Sequence, residues 1–124
     1  KLARRLGIEQ RTVFAGWHEN AYAWMALAAL LVLSSDFEGF GRVIVEALAV
    51  GTPVVSTLCP SGPDEILTGE HSQWLVPRND PEALAAKITQ ALRSPPSVDP
   101  SMVDSFDIEQ VVDRYLTLPP RTEH

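Results

Sequence analysis

Short apolar runs along the chain alternate with stretches in which apolar residues recur at helical spacing. Four runs are predicted as strands, at residues 11–16, 30–35, 53–57 and 73–76. Because the run at 30–35 is almost wholly apolar until its last two residues, we expect it to be buried on both faces, as strands of parallel sheets are. Strands that alternate with helices in this way predict an α/β domain with a short parallel sheet and crossover helices.

Polar caps and glycines indicate where the helices begin and end. Asn20 is a suitable N-cap for the first crossover helix, and Asp80 for the helix after the fourth strand. Residues 41–50 have helical length, and Gly51 follows them as a C-terminal cap. After a proline-rich linker, apolar residues again recur at helical spacing, which predicts a C-terminal helical segment over residues 101–118.

Length and charge restrict what this domain can bind. A chain of 124 residues can bury one compact core, so a single domain over residues 1–124 is expected. The net charge is -6, and no basic block exceeds the Arg4-Arg5 pair, which excludes a broad surface for nucleic acid or anionic membrane. The apolar run at 21–33 is too short to span a bilayer. The chain begins without methionine and is interpreted as a piece of a longer cytoplasmic protein, consistent with its single cysteine, Cys59.

The loop after the second predicted strand is the first candidate for a ligand site, because open α/β sheets bind ligands at the carboxyl ends of their strands. It carries Gly39, Phe40 and Gly41 directly before a predicted helix. Glycines allow a ligand to approach the main chain closely. The amides of Arg42 and Val43 would be free donors at the positive end of the helix, suited to a diphosphate. An ordinary tight turn gives the same glycine pattern, so both interpretations stay open.

Two glutamates flank that helix start. Glu46 belongs to a helix that is otherwise apolar on nearly every side, and its side chain leans toward the helix N-terminus. Glu38 lies on the loop at the end of the strand, so both acids can face one crevice. The alternatives are a solvated loop acid for Glu38 and an exposed helix stripe for Glu46. Glu65 is an equally open case, because Ser61 as N-cap and an acidic first turn would make an ordinary helix start.

Glu38 and Glu46, separated by seven residues around Gly-Phe-Gly, resemble the paired-glutamate motif of family-4 (group 1) retaining glycosyltransferases of the GT-B fold. Residues 46–57, EALAVGTPVVST, and 59–67, CPSGPDEIL, resemble the next blocks of members that build bacterial surface polysaccharides and lipopolysaccharide. The match covers about residues 13–92, two thirds of the chain.

The resemblance implies the fold, the donor and the roles of the site residues. The fold would be a partial Rossmann-like three-layer domain, the C-terminal donor-binding half of a GT-B enzyme. A UDP- or GDP-linked sugar would be the donor, with no cofactor and no metal. Glu38 would be catalytic, beside the donor sugar. The implied donor-binding residues are Gly39, Phe40, Gly41, Arg42, Val43, Glu46 and Glu65.

The chain also departs from the family pattern. Arg42 stands where relatives of this subgroup often have Asn or a small apolar residue, and its guanidinium could add a phosphate contact. The acceptor-binding N-terminal domain and an upstream basic pair that neutralises the leaving diphosphate are absent, so we expect this chain alone to lack transferase activity. The parent would transfer the sugar to a glycan or lipid-linked acceptor in the cytoplasm or at the inner membrane face.

Two other functions fit the same residues. One is a stand-alone nucleotide-binding or interaction module without catalysis, and the other is a related nucleotide-sugar epimerase. Under any of the three, a shortened parallel sheet leaves apolar surface bare, which predicts a homo-oligomer of this chain.

Overall fold

The structure is a computed structural model, which describes residues 1–106 of the chain. Its α-helices are α1 (Leu2–Arg5), α2 (Ala21–Leu27), α3 (Arg42–Ala49), α4 (Pro63–Ile66) and α5 (Pro81–Arg93). Its strands are β1 (Leu31–Leu33), β2 (Val54–Thr57) and β3 (Leu75–Val76). Short 3-10 helices occupy Glu9–Arg11, Gly69–Trp74 and Pro100–Phe106.

The three strands form one parallel sheet in the order β1-β2-β3, with β2 in the centre. Alternate side chains of β2 point to opposite faces, as the pleat requires. Val54 joins the cluster of α3 on one face, while Val55 packs with Ala91 of α5 on the other. Helices therefore cover both faces of a short parallel sheet, which confirms the predicted three-layer α/β fold.

The first predicted strand, residues 11–16, is wrong. A 3-10 helix ends at Arg11, and residues 12–18 have no regular secondary structure. Val13 and Phe14 are more than 80% exposed. An apolar run becomes a strand only where another strand pairs with it, and within the described residues the sheet begins at β1.

The sheet is also shorter and more open than predicted. Within residues 1–106, β1 is an edge strand that is buried at none of its positions, and Val32 is 39% exposed. The fourth predicted strand is reduced to β3, since Trp74 belongs to the preceding 3-10 helix. The inner strand β2, by contrast, is buried at every position.

Most predicted helix ends are confirmed. Asn20 accepts a hydrogen bond from the amide of Ala23, and Asp80 accepts one from the amide of Ala83. Gly51, just past α3, has a φ of 82°, in the left-handed region that suits glycine at a helix end. Most of the predicted C-terminal helical segment, residues 101–118, lies outside the described residues. Over residues 1–106, no helix combines the length and hydrophobicity needed to cross a membrane.

Candidate functional site

The loop between β1 and α3 places a helix N-terminus at the carboxyl edge of the sheet. Gly41 is the N-cap of α3 and adopts a left-handed conformation, with φ 77° and ψ 40°. A Cβ at this position would lie 3.3 Å from Cδ1 of Ile44, so a side chain would be both strained and crowded. No side chain of the described residues caps the helix. The amide of Ile44 donates to the carbonyl of Gly41, whereas those of Arg42 and Val43 have no hydrogen-bond acceptor within residues 1–106. These two amides are therefore available to an external acceptor such as a phosphate oxygen.

The loop after β2 supports this helix start from the other side. Gly62 lies so close to the β1–α3 loop that a Cβ built on it would stand 2.0 Å from the carbonyl oxygen of Phe40. Gly62, with φ 146°, is also the N-cap of α4, so the prediction that Ser61 caps this helix is wrong. Ser61 itself has a positive φ of 66°, in the turn that brings Gly62 against Phe40. The backbone of one loop thus positions the backbone of the other.

Glu38 is partly buried and held by a hydrogen-bonded chain that begins on β2. The hydroxyl of Thr57 donates to the carbonyl of Ser35 at 2.5 Å, and the hydroxyl of Ser35 donates to Oε1 of Glu38 at 2.5 Å. A short bond to a carboxylate is of the strong, charge-assisted kind. The loop-acid alternative for Glu38 is therefore only partly right, because this acid is tethered and not free in solvent.

Sequence reasoning missed this tether. Ser35 and Thr57 end the second and third predicted strands, and hydroxyls at adjacent carboxyl ends of a parallel sheet were the available signal. A similar signal existed for Arg78, which follows β3 and donates from Nη1 to the carbonyl of Asp36 at 3.0 Å. Residues at or just after the carboxyl ends of all three strands thus hold the loop that follows β1.

Glu46 lies on the second turn of α3, and its side chain is only 17% exposed. Its Oε1 lies 3.0 Å from Nε of Arg42 in an ion pair, and it accepts a longer hydrogen bond, 3.4 Å, from the hydroxyl of Tyr22. The alternative of an exposed helix stripe therefore does not hold for Glu46. The Arg42 guanidinium is directed at this carboxylate, whereas the sequence suggested that it could reach a phosphate. Tyr22, on α2, was not predicted as a site residue.

Glu65 lies in α4 and is exposed. Its side chain makes no hydrogen bond or ion pair within residues 1–106, so the structure does not favour a site role over an ordinary acidic helix start. The remaining predicted residues, Gly39 to Val43, lie consecutively between Glu38 and the first turn of α3.

Taken together, the loop offers unpaired main-chain donors between two oriented carboxylates. Amides at a helix N-terminus suit a phosphate or diphosphate, while carboxylates are acceptors for hydroxyl groups. A ligand that combines a diphosphate with hydroxyl-rich groups at both ends matches this order of donors and acceptors.

Comparison with known proteins decides the family. Residues 1–94 match the family model described as "Glycosyl transferases group 1", and this range is more than half of the chain. The chain belongs to the group 1 glycosyltransferases. The predicted family is thereby confirmed, and so is the GT-B architecture, which the structural neighbours share.

Several curated relatives of this group 1 domain are named for lipopolysaccharide or colanic acid biosynthesis. The lipopolysaccharide core biosynthesis glycosyltransferase LpsE of Rhizobium meliloti (strain 1021) is 34% identical, over 95% of this chain and 36% of its own length. The putative colanic acid biosynthesis glycosyltransferase WcaL of Salmonella typhimurium (strain LT2) is 38% identical over 71% of this chain and 19% of its own.

Among solved structures, Anabaena Alr3699/HepE in complex with UDP and glucose superposes with a TM-score of 0.77 and 26% identity. The superposition covers 94% of this chain and 35% of that one. The group 1 domain described here therefore spans about a third of the length of LpsE and of HepE.

Proposed function

We propose that this group 1 domain binds a nucleoside-diphosphate sugar at the β1–α3 loop. The observation that carries the proposal is the uncapped N-terminus of α3, flanked by Glu38 and Glu46, whose carboxylates are both held in place by other side chains. HepE, with UDP and glucose bound, shares the fold at 26% identity, which supports the same ligand class here.

The order of groups along the loop assigns a part of the ligand to each. The amides of Arg42 and Val43 would bind the diphosphate, where the helix dipole adds to their hydrogen bonds. The ionised carboxylate of Glu46 would accept hydrogen bonds from the ribose hydroxyls. Glu38 and the amides of Gly39 to Gly41 would meet the hydroxyls of the donor sugar.

For the whole enzyme, we propose transfer of that sugar with retention of anomeric configuration to a glycan or lipid-linked acceptor, in polysaccharide or lipopolysaccharide synthesis in the cytoplasm. The names of the relatives LpsE and WcaL, which refer to lipopolysaccharide core and colanic acid biosynthesis, support this kind of pathway. The domain would contribute by stabilising charge on the departing diphosphate with preorganised amides, with no cofactor or metal.

Titration calorimetry with UDP and GDP tests the ligand class on this chain. We expect one of these nucleotides to bind. Glu46→Ala should weaken its binding free energy by roughly 1.5–3 kcal/mol, the usual value of a hydrogen bond to a charged group. Glu82→Ala is the matched control, because it removes an exposed carboxylate from the first turn of α5. No binding of either nucleotide, or equal affinity of Glu46→Ala accompanied by a lower melting temperature, would contradict the proposal.

A further inference from the structure

The ion pair and the hydrogen bond of the Glu46 carboxylate involve the same oxygen, Oε1. Nε of Arg42 and the hydroxyl of Tyr22 both approach Oε1, the first within α3 and the second from α2. Within residues 1–106, no hydrogen bond reaches Oε2. An ionised carboxylate can accept about four hydrogen bonds, so Oε2 keeps its full capacity.

Helix stability does not explain why Arg42 occupies this position. It is the first residue of α3, where the positive end of the helix dipole disfavours a cation. Its ion pair with Glu46 also has the basic residue on the N-terminal side, the less favourable order for an i, i+4 pair. The arrangement does make sense if Arg42 serves the orientation of Glu46.

Resting on the proposed nucleotide site, we propose that Arg42 is a positioning residue for ribose recognition, assisted by Tyr22. The two donors fix Oε1 of Glu46 and direct Oε2 toward the ribose hydroxyls. At 3.0 Å the Arg42 contact is the stronger of the two, while the 3.4 Å contact of Tyr22 is long for a hydroxyl donor. Arg42 therefore carries the larger effect.

A direct phosphate contact by the Arg42 guanidinium is the competing role, because that side chain is 55% exposed. The two roles differ in which part of the nucleotide they serve. Positioning of Glu46 affects affinity only when ribose hydroxyls are present, whereas a phosphate contact affects every diphosphate. UDP and 2′,3′-dideoxy-UDP, which share the diphosphate and the base, separate these roles.

Calorimetry with both nucleotides on four proteins tests the proposal: the unaltered chain, Arg42→Met, Tyr22→Phe and Glu46→Gln. We expect Arg42→Met to weaken UDP binding by roughly fivefold to tenfold and Tyr22→Phe by about twofold to fivefold, the range expected when a single polar contact is lost. Neither change should alter the affinity for dideoxy-UDP. In the Glu46→Gln background, the effect of Arg42→Met on UDP should also disappear.

Two further variants complete the design. Arg42→Lys keeps the charge and should recover part of the UDP affinity. Arg4→Met removes an exposed arginine whose ion pair with Glu9 is 3.5 Å long, and it should leave both affinities unchanged. Circular dichroism confirms folding, and if Arg42→Met does not fold, Arg42→Lys and Tyr22→Phe carry the comparison.

Equal losses for UDP and dideoxy-UDP would show that Arg42 contacts the diphosphate, and unchanged affinity for both would show a surface ion pair only. Either result overturns the positioning role while leaving the nucleotide site intact. If the unaltered chain binds GDP alone, GDP and 2′,3′-dideoxy-GDP replace the uridine pair in the same comparison. Failure to bind both UDP and GDP, by contrast, overturns the nucleotide site and this inference with it.

Discussion

Replacement of Gly62 by alanine tests the contact between the two loops that form the site. The new Cβ would stand 2.0 Å from the carbonyl oxygen of Phe40, whereas real Cβ atoms essentially never come within 3.0 Å of another atom. The β1–α3 loop must therefore retreat by about 1 Å, the difference between these two distances. Gly62 also has a φ of 146°, which an alanine rarely adopts.

Both penalties enter the expected loss of stability. A residue in a sparsely populated backbone region costs roughly 1–3 kcal/mol, and overpacking a tight contact costs about as much again. Gly62→Ala should therefore lower the free energy of unfolding by roughly 2–6 kcal/mol, a large part of what a small domain has. Because Phe40 belongs to the proposed donor loop, UDP affinity should fall as well.

Two other glycines separate these contributions in urea unfolding, followed by tryptophan fluorescence, to which the buried Trp74 contributes. Gly69 has a positive φ, 57°, but open space where a methyl group would be added. Gly69→Ala should therefore lower the free energy of unfolding by only about 1–2 kcal/mol. Gly39→Ala has neither penalty and should change stability by less than about 0.5 kcal/mol. If Gly62→Ala proves no less stable than Gly69→Ala, the two loops are not in contact and the reasoning fails.

Three further predictions concern the frame of the domain. Asp80→Ala should lower the free energy of unfolding by about 1 kcal/mol in urea unfolding, since it removes the side-chain N-cap of α5. Asp80→Asn keeps an N-cap oxygen and should retain most of the original stability. Thr52→Val should also lower the free energy of unfolding by about 1 kcal/mol in the same assay, because the buried hydroxyl donates to the carbonyl of Met25 at 2.6 Å. The loss stays this small because the Met25 carbonyl still accepts a hydrogen bond from the amide of Ala28 in the variant. Light scattering should detect self-association of the chain, and Val13→Ser should weaken it because the apolar side chain of Val13 is 81% exposed. A monomer at every concentration would refute the prediction of self-association.

The features predicted correctly are those whose causes lie close together in the chain. The cap of α2 depends on Asn20 and an amide three residues later, and the end of α3 depends on a glycine just past the helix. Helical spacing and N-caps are local signals, and a single sequence is enough to show them. The paired glutamates were found for the same reason, since the motif from Glu38 to Glu46 is one short segment.

Features that depend on a distant partner were missed or wrong. Residues 11–16 have the composition of a strand, but strand formation requires a neighbour, and composition does not show whether one is present. The contact of Tyr22 with Glu46 joins residues 24 apart, and that of Thr57 with Ser35 joins residues 22 apart. Neither follows from spacing along one helix or strand.

These distant contacts bear on what the glutamate motif can do by itself. A carboxylate contributes to recognition only in proportion to how well its oxygens are already oriented, because the ligand would otherwise have to order them. Here the orientation of Glu38 depends on Ser35, and that of Glu46 depends on Arg42 and Tyr22. The motif therefore supplies the chemical groups, while hydroxyl and guanidinium donors determine where those groups point. It follows that chains with the same two glutamates but other residues at these three positions should differ in nucleotide affinity while keeping the same fold.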